Sequence, residues 1–510
     1  MKNKDKIYKN CIIGFLIFII IYLLVILQRH GLGIDELDWT LRIVHGKTWK
    51  SLFRELALYG YNLPLYYVII KILDIFFHYN KFLLLLPSAI MAIVGCYYIY
   101  LTSKKFFKTN FAILALMLSL SSLFFYKQIA CSLRPYGLLY MLSAISFYNY
   151  LNRLKDNTKL NNFKYIISII LLLFTHWYGA LVVLFYGITD FYFLLKKKIS
   201  FKIFMLYIIP FILILSWVVY VFSIHIVTFG QYWADPPGVF SIIELIFELL
   251  GFYVFFIATL AIYCIARKKK RIKTEDDKII NIIFSYIVLI IAGIIVYSRF
   301  ISPSSSLWVS RYFISIMPQF MIVVAFYIVK LYKRIIQDDI QSEINFITSM
   351  VAINLIIGFS FTLFFSYQYP NVGYEESYEK IFSFLENDDD IYNDDTLIIC
   401  TYGKYWVDYN LFEKNKKLPS NLMIIDPYKY GNTNSEDAKL SELEYVIKDS
   451  KKYNKEFDIN ENMDKYNKIY IIELHRMLYS EEIDEIFDMD DFDVRLSEEY
   501  QIVKLTRNEE

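Results

Sequence analysis

The feature that most constrains this chain is a series of apolar runs, each close to twenty residues long, that recurs from Cys11 to Phe365 with short polar gaps between them. A helix rises about 1.5 Å per residue, so about twenty apolar residues cross the roughly 30 Å hydrocarbon core of a bilayer. Water-soluble cores cannot hold this much apolar surface. Hydrophobic residues make up 56% of the 510 positions and charged residues 20%, with a mean hydropathy of +0.39, whereas soluble domains run nearer 45–50% apolar. In hydrocarbon every backbone N–H and C=O needs an internal partner, and for runs of this length the helix supplies it. The spacing predicts about eleven spans: Cys11–Leu27, then roughly 82–102, 110–126, 136–151, 163–177, 179–195, 203–224, 242–266, 279–298, 312–332 and 345–366.

Basic residues set the expected orientation. Lys2, Lys4, Lys6 and Lys9 precede the first run, which lacks a small-x-small cleavage site and reads as a retained span. With the N-terminus in the cytoplasm, alternation places Lys104, Lys105 and Lys108 inside. The same holds for Arg153, Lys155 and Lys159, for Lys196–Lys198, for Arg267–Arg271 and for Lys333-Arg334. The apolar run 63–79 decides the matter, because counting it as a crossing would put all these cations outside. Lys71 and Asp74 interrupt it, so the sequence predicts an amphipathic helix at the outer interface, within one external loop from 29 to 80. The expected architecture is a polytopic all-α membrane protein, residues 1–368, with a small extracytoplasmic α/β domain, 369–510. In that tail, acidic clusters appear and β-like runs at Thr396–Cys400, Leu422–Ile425 and Ile469–Ile472 alternate with helical stretches near 376–386, 435–453 and 480–489.

Other function classes are excluded by charge and cysteine spacing. The net charge of +2, from 53 basic and 51 acidic residues, does not fit a polycationic nucleic-acid binder. Cys11, Cys96, Cys131, Cys264 and Cys400 lie far apart with no CxxC, so neither a disulfide framework nor a zinc site is expected.

Chemistry-bearing side chains gather in the external loops, where polar residues near a bilayer tend to mark function. Asp35-Glu36 follows the first span, with Asp38 close behind. Then come Asn62-Leu63-Pro64-Leu65-Tyr66-Tyr67, Pro87-Ser88-Ala89, Arg134-Pro135-Tyr136, Thr175-His176-Trp177-Tyr178 and Arg311-Tyr312. Each has a plainer reading. Asp35 and Glu36 suit a loop or a helix N-terminus, Arg134 suits a cation reaching toward lipid phosphate, and His176 suits an interfacial histidine. Tyr66 and Tyr67 suit an aromatic belt. Glu244 and Glu248, one helical turn apart at the start of a span, suit an interfacial helix face.

In order and sidedness these segments resemble the GT-C membrane glycosyltransferases, in the protein O-mannosyltransferase and aminoarabinose-transferase branch. The pattern departs from the family at Asn62-Leu63, where His-Pro is usual, and at Leu85, where an arginine is frequent. The resemblance implies transfer of a sugar from a polyprenyl-phosphate donor to a hydroxyl acceptor at the outer leaflet, with inversion. It implies Asp35 as the base, supported by Glu36, and Arg134 with Arg311 on the donor phosphate. Asn62, Tyr66, Tyr67, Tyr136, His176 and Trp177 would line the substrate cavity. A carboxylate with an ordinary pKa of about 3.9 is ionised at neutral pH and can take the acceptor proton, and guanidinium groups suit phosphate oxygens. Asp35, Glu36 and Asp38 are also a conceivable divalent-cation set, but the resemblance implies catalysis without a metal cofactor. Two other classes compete. A lipid-linked oligosaccharide polymerase or ligase would use external arginines without needing the early Asp-Glu pair. A lipid or polysaccharide transporter would show internal repeats and midplane charges, which the sequence does not display.

Overall fold

The computed structural model describes residues 40–45, 47–59, 63–77, 80–106, 109–224, 234–251, 276–336, 395–401, 422–425, 466–473, 492–497 and 502–507, together with scattered single positions such as Glu36. Asp35, Asp38, Asn62, the expected span at 345–366 and the expected helices of the tail lie outside the described residues. The chain divides into two compact units. One comprises Met1–Arg29, Leu56–Val68 and Leu85–Gln368; the other comprises His30–Glu55, Ile69–Leu84 and Tyr369–Glu510.

The described helices run α1 (Trp49–Tyr59), α2 (Pro64–Phe77), α3 (Lys81–Phe106), α4 (Thr109–Ser121), α5 (Tyr136–Lys155), α6 (Lys159–Leu173), α7 (Trp177–Leu195), α8 (Ile208–Ile224), α9 (Val239–Leu250), α10 (Asp276–Val296) and α11 (Met317–Ile336). Among the described residues five helical stretches are long and apolar enough to cross a membrane: Phe82–Phe106, Trp177–Leu195, Phe201–Ile224, Ile279–Ile301 and Ser310–Tyr332. Each overlaps an expected span. The expected span at 242–266 differs, because α9 stops at Leu250 and Gly251 adopts φ +55°. A Cβ at Gly251 would lie 2.7 Å from the Ser121 carbonyl oxygen, so close approach to the end of α4 and a left-handed backbone both demand glycine there.

Burial sorts the first unit into a core and a lipid-type surface. Along α8, Phe211, Ile212, Leu215, Val219 and Phe222 are exposed, an arrangement that hydrocarbon tolerates and water does not. In the first run, Ile17, Ile20, Ile21 and Leu24 form an exposed stripe at helical spacing, while Leu23 and Leu27 are buried. Helix α11 is the reverse: Met317, Met321, Ala325 and Ile328 are fully buried, and α4, α5 and α10 pack against it.

One cluster of charged and polar groups inside this core is paired. Arg153 of α5 forms an ion pair with Asp190 of α7, with the two side chains 1% and 0% exposed. Tyr150 donates to Asp190 Oδ1 at 3.1 Å and Tyr207 donates to Oδ2 at 2.9 Å. The Arg153 guanidinium carbon stands 4.3 Å from the Tyr165 ring centroid and 5.1 Å from that of Tyr150, a cation–π sandwich. Three helices and the turn carrying Tyr207 are thereby joined at one point.

In the second unit, the two residues that argued against a crossing at 63–79 are both buried and bonded. Asp74 Oδ1 lies 2.8 Å from His45 Nδ1, and Lys71 Nζ donates to the Val44 carbonyl at 2.9 Å. Lys47 pairs with Glu55 at 2.8 Å. Helix α2 has 14 residues, which spans about 21 Å and falls short of a bilayer core. Its remaining face leaves Ile72, Ile75 and Phe76 exposed.

The tail strands β1 (Thr396–Thr401), β2 (Leu422–Ile425), β3 (Lys468–Glu473), β4 (Phe492–Ser497) and β5 (Ile502–Arg507) form one mixed sheet in the order β2-β1-β3-β5-β4. β1 is parallel to β2 and β3, with Ile398 opposite Leu422 and Tyr470. β5 is antiparallel to β3 and β4, with Leu505 opposite Ile469 and Val494. Ile469 and Tyr470 at its centre are fully buried.

The buried pair yields a stability prediction. Arg153→Met strands a desolvated carboxylate and is expected to cost about 3–5 kcal/mol, whereas Arg153→Met combined with Asp190→Leu recovers most of that loss. Unfolding in detergent checks this; equal destabilisation by the single and double variants would contradict it.

Candidate functional site

Three segments of the first unit converge at the N-terminal ends of α5 and α7. The first begins as a π-helical turn, Phe125–Ile129, closed by the Ala130 N–H donating to the Phe125 carbonyl at 2.9 Å. The chain then passes through Cys131–Arg134 to Pro135, whose φ of −66° suits a helix start. A Cβ on Gly137 would come within 2.7 Å of the Ile129 carbonyl oxygen and 3.3 Å of that of Ser88. Glycine therefore lets the first turn of α5 press against both. Ser88 Oγ donates to the Ser132 carbonyl at 2.7 Å, so the Pro87-Ser88-Ala89 and Arg134-Pro135-Tyr136 motifs are structurally joined.

The second segment is the turn into α7. Leu65 N–H donates to the Phe174 carbonyl at 3.0 Å, fixing the start of α2 to it. The adjacent Tyr66 and Tyr67 are fully buried, with their rings edge to face at 5.7 Å. His176 caps α7: its Nδ1 accepts from the Tyr178 N–H at 3.2 Å, satisfying one of the donors that a helix N-terminus leaves open. That bond requires an unprotonated Nδ1, which assigns any ring proton to Nε2. Trp177, half-buried, opens the helix.

The third segment is the 3-10 stretch Ser310–Ile316 leading into α11. The Tyr312 ring lies 4.6 Å from His176, 5.1 Å from Tyr178 and 6.4 Å from Tyr136. The Arg311 guanidinium carbon stands 6.0 Å from the Tyr136 ring centroid. The Tyr178 hydroxyl donates to the Leu307 carbonyl. Arg134, Tyr136, His176, Tyr178, Arg311 and Tyr312 thus occupy one locus.

Charge defines what this locus can do. Burial, and then the cations of Arg134 and Arg311, push the His176 pKa down to about 3. The imidazole is therefore neutral while two guanidiniums stand beside it. Paired guanidiniums among aromatic rings favour a bound anion, and their fixed forks match the oxygens of a phosphate. Glu36 is buried and belongs to the other unit, and Asp35 and Asn62 lie outside the described residues. Among the described residues no three His, Cys, Asp or Glu side chains converge as a metal-binding group. Tyr178 and Tyr312, which sequence offered only as motif neighbours of His176 and Arg311, pack against the His176 ring at 5.9 and 4.6 Å.

No family model matches the sequence, and no curated protein matches it. The fold, however, has solved counterparts. ArnT from Cupriavidus metallidurans in the apo state matches with a TM-score of 0.61 and 11% identity, covering 98% of each chain. The same protein bound to undecaprenyl phosphate matches with a TM-score of 0.60 and 10% identity, covering 97% of each chain. The fold is thus the one seen in ArnT, along essentially the full length.

The depressed His176 pKa makes a prediction about acid stability. The folded-state value of about 3 lies below the ordinary value of about 6.5, so the unfolded state binds this proton first as pH falls. The neutral cap contributes fully above pH ~6.5, and stability declines as pH drops toward ~3. His176→Asn, which keeps a capping acceptor without a titrating ring, should flatten unfolding temperature against pH between about 6.5 and 4. An identical slope in wild type and variant would contradict the assignment.

Proposed function

We propose that this chain is an integral-membrane glycosyltransferase that moves a sugar from a polyprenyl-phosphate donor to a hydroxyl acceptor at the outer face of the membrane. The observation that carries the reading is the pair of guanidiniums, Arg134 and Arg311, flanking a neutral His176. The full-length fold match to an ArnT bound to undecaprenyl phosphate adds support for a lipid phosphate as the anion.

In this reading the acceptor oxygen attacks the anomeric carbon. The bond from that carbon to the phosphate oxygen breaks, its electron pair stays with the phosphate, and the acceptor proton passes to Asp35. The products are a glycosylated acceptor of inverted configuration and polyprenyl phosphate. Charge grows on the departing phosphate, where fixed guanidiniums stabilise the transition state more than the ground state. A neutral His176 can donate from Nε2 without adding a third charge. Tyr136, Tyr178 and Tyr312 offer aromatic faces for a sugar ring, with Tyr66, Tyr67, Trp177 and Asn62 as further cavity residues and Glu36 beside the base. With the charge supplied by arginine, the reaction is written without a metal cofactor.

The accompanying topology is about eleven spans in residues 1–368, a cytoplasmic N-terminus, and 369–510 as an extracytoplasmic α/β domain. The parallel pairing of β1 with β2 and β3 supports the latter, since parallel neighbours need crossover connections.

The test is transfer of radiolabelled sugar from polyprenyl-phosphate donors to membrane-extract acceptors by purified protein. Wild type is expected to transfer label, and Asp35→Asn to lose about 10²–10⁴-fold in rate. An Asp35→Asn rate equal to wild type would remove the base assignment, and no transfer from any carrier would remove the enzyme reading.

A further inference from the structure

The span that carries Arg311 changes helix type partway along. From Ser310 to Tyr332 the chain is one continuous helical stretch, yet Ser310–Ile316 is 3-10 over all 7 residues and the α-helix begins only at Met317. Runs of 3-10 longer than about three or four residues are uncommon, because their hydrogen bonds are poorer than those of an α-helix. This one needs a cause, and Pro318 supplies it. As the second residue of α11 it is tolerated, since the first turn of a helix has no internal partner for its N–H groups. Extending the α-helix backward would require residue 318 to donate to the Ile314 carbonyl. Proline has no N–H to give, and its ring would press on that same carbonyl. The Ile314 carbonyl instead accepts from the Met317 N–H, a 3-10 bond. At the other end of the stretch the Tyr312 N–H donates to the Val309 carbonyl at 3.0 Å.

Surrounding side chains hold the stretch in this form. The Ser143 hydroxyl of α5 donates to the Ser315 carbonyl and accepts from Gln319 Nε2 at 3.1 Å. The Phe313 ring lies 4.9 Å from Trp308 and 5.8 Å from Tyr178, and Phe313, Ile314, Ser315 and Ile316 are all buried. Helix type in turn sets where the site residues point. Counted back from Met317, an α-helical path would rotate Arg311 by about 120° and draw it in by about 3 Å. Either change would remove its guanidinium from the Tyr136 ring, 6.0 Å away, and a similar shift would part Tyr312 from His176.

We propose that Pro318 is a positioning residue for the anion site: by barring the α form ahead of Met317, with the Ser143 hydroxyl fixing Ser315, it presents Arg311 and Tyr312 to Tyr136 and His176, in place to receive the donor phosphate. This rests on the reading of the site as a polyprenyl-phosphate site. Pro318 does not touch the substrate. It sets the path of the segment that does.

Replacing the proline sets stability and binding against each other. Pro318→Ala restores the missing N–H and lets α11 extend backward, so the full chain in detergent is expected to keep its unfolding temperature while its binding of undecaprenyl phosphate weakens about tenfold. Were Pro318 a packing residue alone, the two would fall together. Joint loss, or unchanged binding, overturns the proposal. If Pro318→Ala does not elute as a folded species, Ser143→Ala carries the same test, with binding expected to weaken several-fold; it keeps the proline and removes only the hydroxyl on Ser315. A second readout needs no lipid: modification by phenylglyoxal, quantified by mass spectrometry as the ratio of Arg311 to Arg134. That ratio is expected to shift several-fold in Pro318→Ala, and an unchanged ratio overturns the proposal. Should wild type bind no undecaprenyl phosphate while the ratio still shifts, the polyprenyl-phosphate reading falls and the positioning role stands.

Discussion

Two guanidiniums can share a partly buried volume with an imidazole only if the imidazole stays uncharged. Here the helix itself enforces that state. His176 uses its Nδ1 lone pair to cap α7, and a proton on that nitrogen would break the cap and add a third positive charge beside Arg134 and Arg311. Burial acts in the same direction. The result is a locus where two guanidiniums adjoin a neutral imidazole, walled by Tyr136, Tyr178 and Tyr312. Each participant sits on a helix end or a short turn, so its position is inherited from helix packing.

That packing depends on how polar groups are managed where water is absent. α5 and α7 carry the site residues at their starts, and near their far ends Arg153 and Asp190 join them in a buried ion pair with Tyr150, Tyr165 and Tyr207 around it. Between these two levels, Gln319 of α11 donates to Ser143 of α5 and Tyr186 of α7, at 3.1 and 3.3 Å. Apolar contacts alone would let parallel faces slide, whereas polar pairs at several depths fix rotation and axial register. The same economy appears in the second unit, where Lys71 and Asp74 find partners at Val44 and His45.

Much of this was legible in the sequence because bilayer physics writes itself plainly. Lys71 and Asp74, the charges that interrupt the run 63–79, are buried and bonded within a 14-residue helix, and the cationic loops marked the breaks between apolar runs. The strand runs at 396–400, 422–425 and 469–472 correspond to β1, β2 and β3, each a nearly continuous apolar run in the sequence. β4 and β5 escaped notice because Asp493, Arg495, Lys504 and Thr506 alternate with their apolar residues, a half-buried pattern too short to stand out. The span expected at 242–266 hid the break at Gly251, whose cause is a carbonyl far away in sequence. In the site, the joining of Pro87-Ser88-Ala89 to Arg134-Pro135-Tyr136 gives a physical reason for two motifs that were merely ordered along the chain. The contact of Tyr312 with His176 was invisible, because it exists only through the packing of the 310–316 stretch on α7.

The claim on which the functional account turns is that the paired guanidiniums recognise the phosphate of a polyprenyl carrier. The direct measurement is the affinity of the purified chain for undecaprenyl phosphate against undecaprenol, the same lipid without the charged group. The account predicts a clear preference for the phosphate that disappears when Arg134 and Arg311 are both replaced by glutamine. Equal affinity for the two lipids in the wild-type protein, or a preference that survives the double replacement, would contradict it.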